Sequence, residues 1–312
     1  MSDPQLLTLD DWYARLPETG KGLVMYSSEW GGLVTDPRLM QVPVEDHLVH
    51  RGDGVFETLL AEEGAVYNLE AHLQRLQRSA EYLGISVPLG LPNIGKHVLA
   101  CFRHSERDRA LARLLLGRGS GGFGVNPAEC PEASLYIIVY PAPPPFMETH
   151  PDGAKIGFSQ VPPKSGGLAR VKTCNYIPNA LMKLEATERG LDFVIGLDAD
   201  GQVTESFTEN LLAVDKQGIL RYPNPTQLLQ GTTLQRVCDL AQAQGLSLEQ
   251  GPISRAELME MPEIMMVGTT AYVSRVGELE GKALPPSRLQ PRLSELLQQD
   301  IRGNAQRRSP WS

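Results

Sequence analysis

Five short stretches of this 312-residue chain hold residue types able to attack a carbonyl compound or to hold a small anion. Lys172 stands in Arg170-Val171-Lys172-Thr173-Cys174-Asn175-Tyr176, where the pattern predicts the end of a strand followed by a helix. A lysine at such a junction is partly desolvated. Its pKa falls and it becomes a nucleophile towards carbonyl groups; the alternative is a solvated surface group. Glu205, in Val203-Thr204-Glu205-Ser206-Phe207, shares a strand side with Val203 by alternation. Such a glutamate lies either at a sheet edge or buried with a partner, and a pyridinium N–H would be such a partner. Gly231-Thr232-Thr233 opens a helix, whose free N–H groups and dipole suit an anion; with no ligand it is a plain helix cap. Gly268-Thr269-Thr270 follows an apolar strand and is either a second phosphate cradle or an ordinary turn. Arg75 could clamp a phosphate through two parallel hydrogen bonds, or reach out to solvent.

The elements that must position these residues follow from periodicity and punctuation. Before the proline run at 141–145, strands are predicted at 54–61, 112–117 and 134–140, with helices at 68–83 and 94–102. After it, a strand is expected at 155–161 and helices at 179–189 and 233–244, each closed by a glycine. Hairpins are expected around the turns 198–201 and 215–218, and a buried strand at 264–267. Strands with few helices in each half indicate two α+β domains rather than a doubly wound sheet. The boundaries read as 1–140 and 151–312, with 141–150 as the linker.

Composition limits the partners. Acidic side chains outnumber basic ones by 37 to 29, for a net charge of −8, which opposes general nucleic-acid binding. Only eight of the basic residues are lysines, and all but Lys172 read as surface groups. Cys101, Cys130, Cys174 and Cys238 are far apart, as in buried reduced thiols rather than a metal site. No apolar run approaches a membrane span, and the first residues lack a signal core. A cytoplasmic protein is expected.

Taken together and in order, the motifs resemble the class IV (fold-type IV) pyridoxal-phosphate enzymes: branched-chain aminotransferases, D-amino-acid aminotransferases and 4-amino-4-deoxychorismate lyases. The resemblance rests on Arg51-Gly52-Asp53-Gly54-Val55-Phe56-Glu57-Thr58, His72-Leu73-Gln74-Arg75-Leu76, Lys172-Thr173-Cys174-Asn175-Tyr176, Thr204-Glu205-Ser206 with Glu209-Asn210-Leu211, Gly231-Thr232-Thr233 and Gly268-Thr269-Thr270-Ala271. It spans about 44–276. It implies a two-domain α+β fold like that of D-amino-acid aminotransferase, a homodimer, and pyridoxal 5′-phosphate as cofactor. By the same resemblance, Lys172 is the Schiff-base lysine and proton shuttle. Glu205 pairs with the pyridine nitrogen, and Tyr176 bonds the cofactor's phenolic oxygen. Arg75, Thr232, Thr233 and Thr269 hold the phosphate. One residue fewer separates lysine from tyrosine here than in the bacterial branched-chain enzymes.

For the substrate carboxylate, the segment around 113–118 offers Arg113, which matches an arginine of the branched-chain enzymes, and Arg118, which matches one of the D-amino-acid enzymes. Five apart, they face opposite sides of an unbroken strand. The implied reaction is amino transfer between a branched-chain L- or D-amino acid and a 2-keto acid. The alternative is the lyase, which forms 4-aminobenzoate and pyruvate and needs no acceptor. A non-catalytic cofactor-binding protein is opposed by the presence of both Lys172 and Glu205.

Overall fold

The computed structural model describes residues 4–15, 23–224, 226 and 228–311; Lys21 lies outside them. The chain starts with helix α1 (Leu9–Arg15), strands β1 (Val24–Ser27) and β2 (Gly32–Val34), and a short helix α2 (His47–Arg51). Strands β3 (Gly54–Glu62) and β4 (Ala65–Tyr67) follow, then helices α3 (Leu69–Tyr82) and α4 (Leu91–Ser105), and strands β5 (Arg109–Gly117) and β6 (Ser134–Pro141). These strands form one antiparallel sheet in the order β4-β3-β5-β6-β1-β2.

The centre of that sheet is β3 against β5, in register from Gly54 opposite Gly117 to Glu62 opposite Arg109. Strand alternation divides its side chains between two faces. Val55, Leu59 and Ala61 of β3, with Ala112, Leu114 and Leu116 of β5, pack under Leu69, Leu73 and Leu76 of α3 and Val98 and Phe102 of α4. The opposite face carries Phe56, Thr58 and Leu60 beside Leu111 and Arg113. Leu60 and Leu111 join a second core with residues from the later half of the chain.

That later half holds helix α5 (Phe146–Thr149), strand β7 (Ala154–Phe158), helix α6 (Ile177–Glu188) and strands β8 (Phe193–Ile195), β9 (Asn210–Val214) and β10 (Leu220–Tyr222). Helix α7 (Thr232–Ala243), strand β11 (Leu248–Gln250), helix α8 (Arg255–Glu260) and strands β12 (Glu263–Gly268), β13 (Tyr272–Leu279) and β14 (Lys282–Ala283) come next. The chain closes with helix α9 (Gln290–Gly303) and strand β15 (Arg308–Pro310). The second sheet runs β11-β10-β9-β12-β13-β7-β8, with β14 on β13; β15 returns to the first sheet, on β4. The class is α+β.

Most expected elements appear with shifted ends. The helix expected at 94–102 runs Leu91–Ser105, with Pro92 in its first turn, where a missing N–H costs nothing. Gly245 follows α7 with φ +74°, a left-handed conformation suited to glycine.

Two local expectations are corrected. Glu205 follows the 198–201 turn as expected but lies outside a regular strand: Leu197 bridges Val203, the Asp198 N–H donates to Gln202 O and the Thr204 N–H to Gly196 O, both at 2.9 Å, and the Gly196 N–H donates to Glu205 O at 3.0 Å, so one residue of the first arm faces two of the second. On its other edge this arm meets 253–254: the Val203 N–H donates to Ile253 O at 2.8 Å and Gln202 bridges Ser254. Lys172 likewise follows a single 3-10 turn at Gly166–Arg170 rather than a strand. Of the cysteines, Cys101 and Cys238 are buried, but Cys130 and Cys174 are only half-buried.

Candidate active site

The segment holding Lys172 is pinned on two sides. Its carbonyl accepts from the Phe56 N–H of β3 at 2.9 Å, and its own N–H donates to Ser79 Oγ of α3 at 3.3 Å. Two residues on, the Cys174 N–H donates to Gly54 O at 2.7 Å. The side chain is 9% exposed, and its Nζ lies 4.6 Å from the centre of the Phe56 ring. Burial, helped by the Arg75 charge, lowers its pKa to about 8. More of the amine is therefore unprotonated near neutrality than in an ordinary lysine, as a nucleophile for carbonyl carbon requires.

One cavity brings together Arg75, Lys172, Tyr176, Glu205, Thr232, Thr233 and Thr269. These are all seven cofactor residues expected from sequence, drawn from α3, the loop before α6, the 205–209 loop, the start of α7 and the end of β12. The cavity has two chemically distinct ends.

At one end stands the N-terminus of α7, which no side chain caps because its flanking residue is Gly231. A Cβ at Gly231 would lie 1.9 Å from Asn210 Oδ1, so only glycine lets the helix start this close to β9. Arg75 faces the same space. Its Nε and Nη2 donate to Glu57 at 2.7 and 2.8 Å, and Nη1 donates to Gln230 O at 3.1 Å. Two of the five guanidinium hydrogens then have no partner among the described residues. Free N–H groups, a helix dipole, a guanidinium and hydroxyls together form an anion site.

At the other end are Glu205 and Tyr176. Glu205 Oε2 accepts from Asn210 Nδ2 at 3.3 Å. Burial pushes the Glu205 carboxyl up to about 7, against the pull of Lys164 and Lys172, so it shares a proton readily with a pyridine-type nitrogen. Tyr176 packs edge-on against Phe56 at 5.1 Å. Burial, reinforced by Glu205, raises its hydroxyl pKa and keeps it a hydrogen-bond donor. The donor set as a whole fits a phosphorylated pyridine aldehyde: anion site, carboxyl for the ring nitrogen, and a nucleophilic amine in the same cavity.

The two arginines expected near the substrate part company. Arg113, opposite Thr58 on the inner sheet face, lies 4.8 Å over the Phe56 ring and donates to the Tyr140 hydroxyl at 3.4 Å. Its charge acts on Lys172 and Tyr176. Arg118 lies beyond the end of β5. It pairs with Asp53 at 2.9 and 3.1 Å and donates to the carbonyls of Leu83 and Gly84, both at 2.7 Å.

Sequence reasoning missed three residues. Glu57, wholly buried, holds both Arg75 and His72. Burial alone would raise its pKa, but the Arg75 charge and the hydrogen bonds from Arg75 and His72 outweigh that and depress it. Its signal was a glutamate inside an otherwise apolar strand. Lys164, read as a surface group, is half-buried beside the site. Its Nζ lies 5.2 Å over the Tyr176 ring and donates to Val171 O at 3.4 Å, and burial lowers its pKa. Glu209, buried next to Thr208, has its carboxyl pushed up to about 7 by burial.

Comparison with known proteins shows the family. The pattern of the family described as amino-transferase class IV matches residues 54–279. A chloroplastic D-amino-acid transaminase of Arabidopsis thaliana is 32% identical over 296 residues, covering 90% of this chain and 77% of that protein. A putative branched-chain-amino-acid aminotransferase of Methanocaldococcus jannaschii is 32% identical over 254 residues, covering 81% and 88%. A bifunctional aminodeoxychorismate lyase / D-amino acid transaminase of Mycobacterium tuberculosis is 29% identical over 283 residues, covering 85% and 95%. Among solved structures, a PLP-bound hypothetical aminotransferase from Mycobacterium tuberculosis superposes with a TM-score of 0.79 at 28% identity, covering 90% of this chain and 99% of that one.

Proposed function

We propose, from the premise that the chain belongs to the class IV aminotransferase family, that it transfers an amino group between a branched-chain L- or a D-amino acid and a 2-keto acid. The chain is a pyridoxal-phosphate-dependent transaminase. The observation that carries the residue assignments is the single cavity that an unpaired, depressed-pKa lysine shares with an anion site and a half-buried carboxyl.

In this reading Arg75, Thr232, Thr233 and Thr269 hold the phosphate, the α7 N–H groups adding their partial charge. Glu205 bonds the pyridine nitrogen and Tyr176 the phenolic oxygen. The cofactor supplies an electron sink conjugated to the substrate nitrogen. Lys172 would hold the cofactor through its amine and, when free, would take up and return the proton at the substrate Cα. Phe56, packed beside Lys172 and edge-on to Tyr176, would keep water from the amine. The test is the half-reaction: D-alanine, L-leucine and L-glutamate are added singly to the holoenzyme. Formation of pyridoxamine phosphate with release of the matching keto acid is expected from at least one, and none from any would refute the reading.

The lyase remains a second reading, favoured by the likeness to the bifunctional Mycobacterium tuberculosis protein. Release of 4-aminobenzoate from aminodeoxychorismate with no acceptor present would establish it.

For the substrate carboxylate, Arg113 is the better candidate, because its guanidinium lies over Phe56 and its charge acts on Lys172, while that of Arg118 is engaged by Asp53 and two carbonyls. Arg113→Ala should raise KM for the keto acid by about 10–100-fold, the loss of a charged hydrogen bond. Arg118→Ala should leave KM unchanged and lower stability by roughly 1–3 kcal/mol. Steady-state kinetics with denaturant unfolding of both variants checks this, and the reverse pattern would reassign the role.

We further propose a homodimer. Ile177, Leu181 and Leu184 form an exposed apolar stripe at helical spacing on α6, the kind of surface that a partner covers. A mass by light scattering near twice 34.2 kDa is expected, and a monomer would reject it. No described helix is long and apolar enough to cross a membrane. A cytoplasmic location is part of the proposal, checked by cell fractionation, as is the assignment of 1–140 and 151–312 to two domains joined at 141–150, checked by limited proteolysis.

A further inference from the structure

We propose that His72 is a positioning residue that takes up one proton when the cofactor's phosphate binds, and so turns the Thr232 hydroxyl towards that phosphate. The proposal rests on the reading of the cavity as a pyridoxal-phosphate site.

The argument is one of hydrogen ownership along a buried chain. The Glu57 carboxylate accepts from Arg75 Nε at 2.7 Å, from Arg75 Nη2 at 2.8 Å and from His72 Nδ1 at 2.7 Å. An ionised carboxylate has no hydrogen to give, so Nδ1 carries one. The other ring nitrogen, Nε2, lies 3.2 Å from Thr232 Oγ1. In the neutral ring Nε2 has only a lone pair. The Thr232 hydroxyl must then donate to the imidazole, and it turns its own lone pairs towards the cavity.

That orientation is wrong for the ligand. A phosphate dianion only accepts hydrogen bonds, so it would meet oxygen lone pairs at Thr232. A second proton on the ring reverses the chain. Nε2–H donates to Thr232 Oγ1, and the freed hydroxyl hydrogen donates to the phosphate. The proton comes from solvent, and the only bond formed is N–H.

The charges around the ring allow this change once the phosphate arrives. His72 is 3% exposed, and its burial favours the neutral ring. Glu57 on β3 favours the charged ring, while Arg75 on the same helix and Lys172 from the loop before α6 oppose it. Thr232, from α7, is uncharged. A dianion in the cradle offsets those two cations, and the surrounding field then favours the imidazolium.

The test reads the ring directly. In two-bond 1H–15N spectra of the [15N]histidine holoenzyme at pH 8, one of the six histidines should show both nitrogens protonated. That signal should revert to a neutral Nδ1–H tautomer when the cofactor is removed. It is assigned by its loss in His72→Gln, which should also hold the cofactor about tenfold more weakly. In Thr232→Val, which removes the hydroxyl but not the ring, the imidazolium signal should be lost while the cofactor still binds. A neutral His72 in a cofactor-loaded protein would overturn the proposal and leave the site reading intact. A protein that takes up no cofactor at all would overturn both.

Discussion

Lys172→Ala is expected to lower kcat/KM for amino transfer by at least about 10⁴-fold, because one change removes both the nucleophile and the general base. Lys172→Arg should fare no better, since a guanidinium does not give up its proton in a protein. The variant should still fold, because the ammonium it removes is buried against Phe56 rather than paired. It should also still bind the cofactor non-covalently, because Arg75 and the start of α7 are untouched. Mass spectrometry after borohydride reduction separates these effects: the wild-type protein gains a covalent adduct at Lys172 and the variant gains none. Lys164 is the discriminating control. It is the other lysine near the cavity with a pKa lowered by burial, but its Nζ is turned to Val171 O and the Tyr176 ring. Lys164→Ala should keep the adduct. Loss of the adduct there, with retention in Lys172→Ala, would exchange the two roles. Since the Lys172 pKa is lowered to about 8, the rate of covalent capture by the cofactor-free protein should rise with pH through about 8 and then level off.

What made Lys172 legible in the sequence is that its motif is local: Lys172, Thr173, Cys174, Asn175 and Tyr176 are chain neighbours, and the helix that follows fixes their spacing. The threonines of the phosphate cradle are legible for the same reason, each being tied to the start of a helix or the end of a strand. Glu57 is different. Its partners His72 and Arg75 lie 15 and 18 residues on, across a strand-to-helix packing contact, and neither periodicity nor charge pattern encodes that pairing. The choice between Arg113 and Arg118 stayed open in the sequence because of a boundary. Alternation separates them only inside one strand, and β5 stops at Gly117, where Arg118 turns back to Asp53. In each case the decisive contact was long-range, and sequence reasoning had only local terms to weigh.

Glu57 carries the second large prediction, on stability. Glu57→Ala should destabilise the cofactor-free protein by about 3–5 kcal/mol, because it leaves the Arg75 guanidinium buried without a counter-charge and His72 Nδ1 without an acceptor. Both partners are nearly as buried as Glu57 itself, so solvent does little to compensate. Glu57→Gln keeps the shape and one acceptor oxygen, and should cost less. The pH dependence has a definite sign. The folded-state pKa of Glu57 is depressed below its unfolded value, so its stabilising contribution is fully present above about 4.3, the ordinary glutamate value, and fades as pH falls through the folded-state value. The stability gap between wild type and Glu57→Gln, measured by urea unfolding, should therefore be widest near pH 7 and narrow steadily below about pH 4. Saturating cofactor should also narrow it at pH 7, since the phosphate brings a second anion to Arg75. A gap that stays constant with pH would mean that Glu57 is not the ionised anchor of the cradle. A gap that cofactor leaves unchanged would mean that the phosphate binds elsewhere than at Arg75.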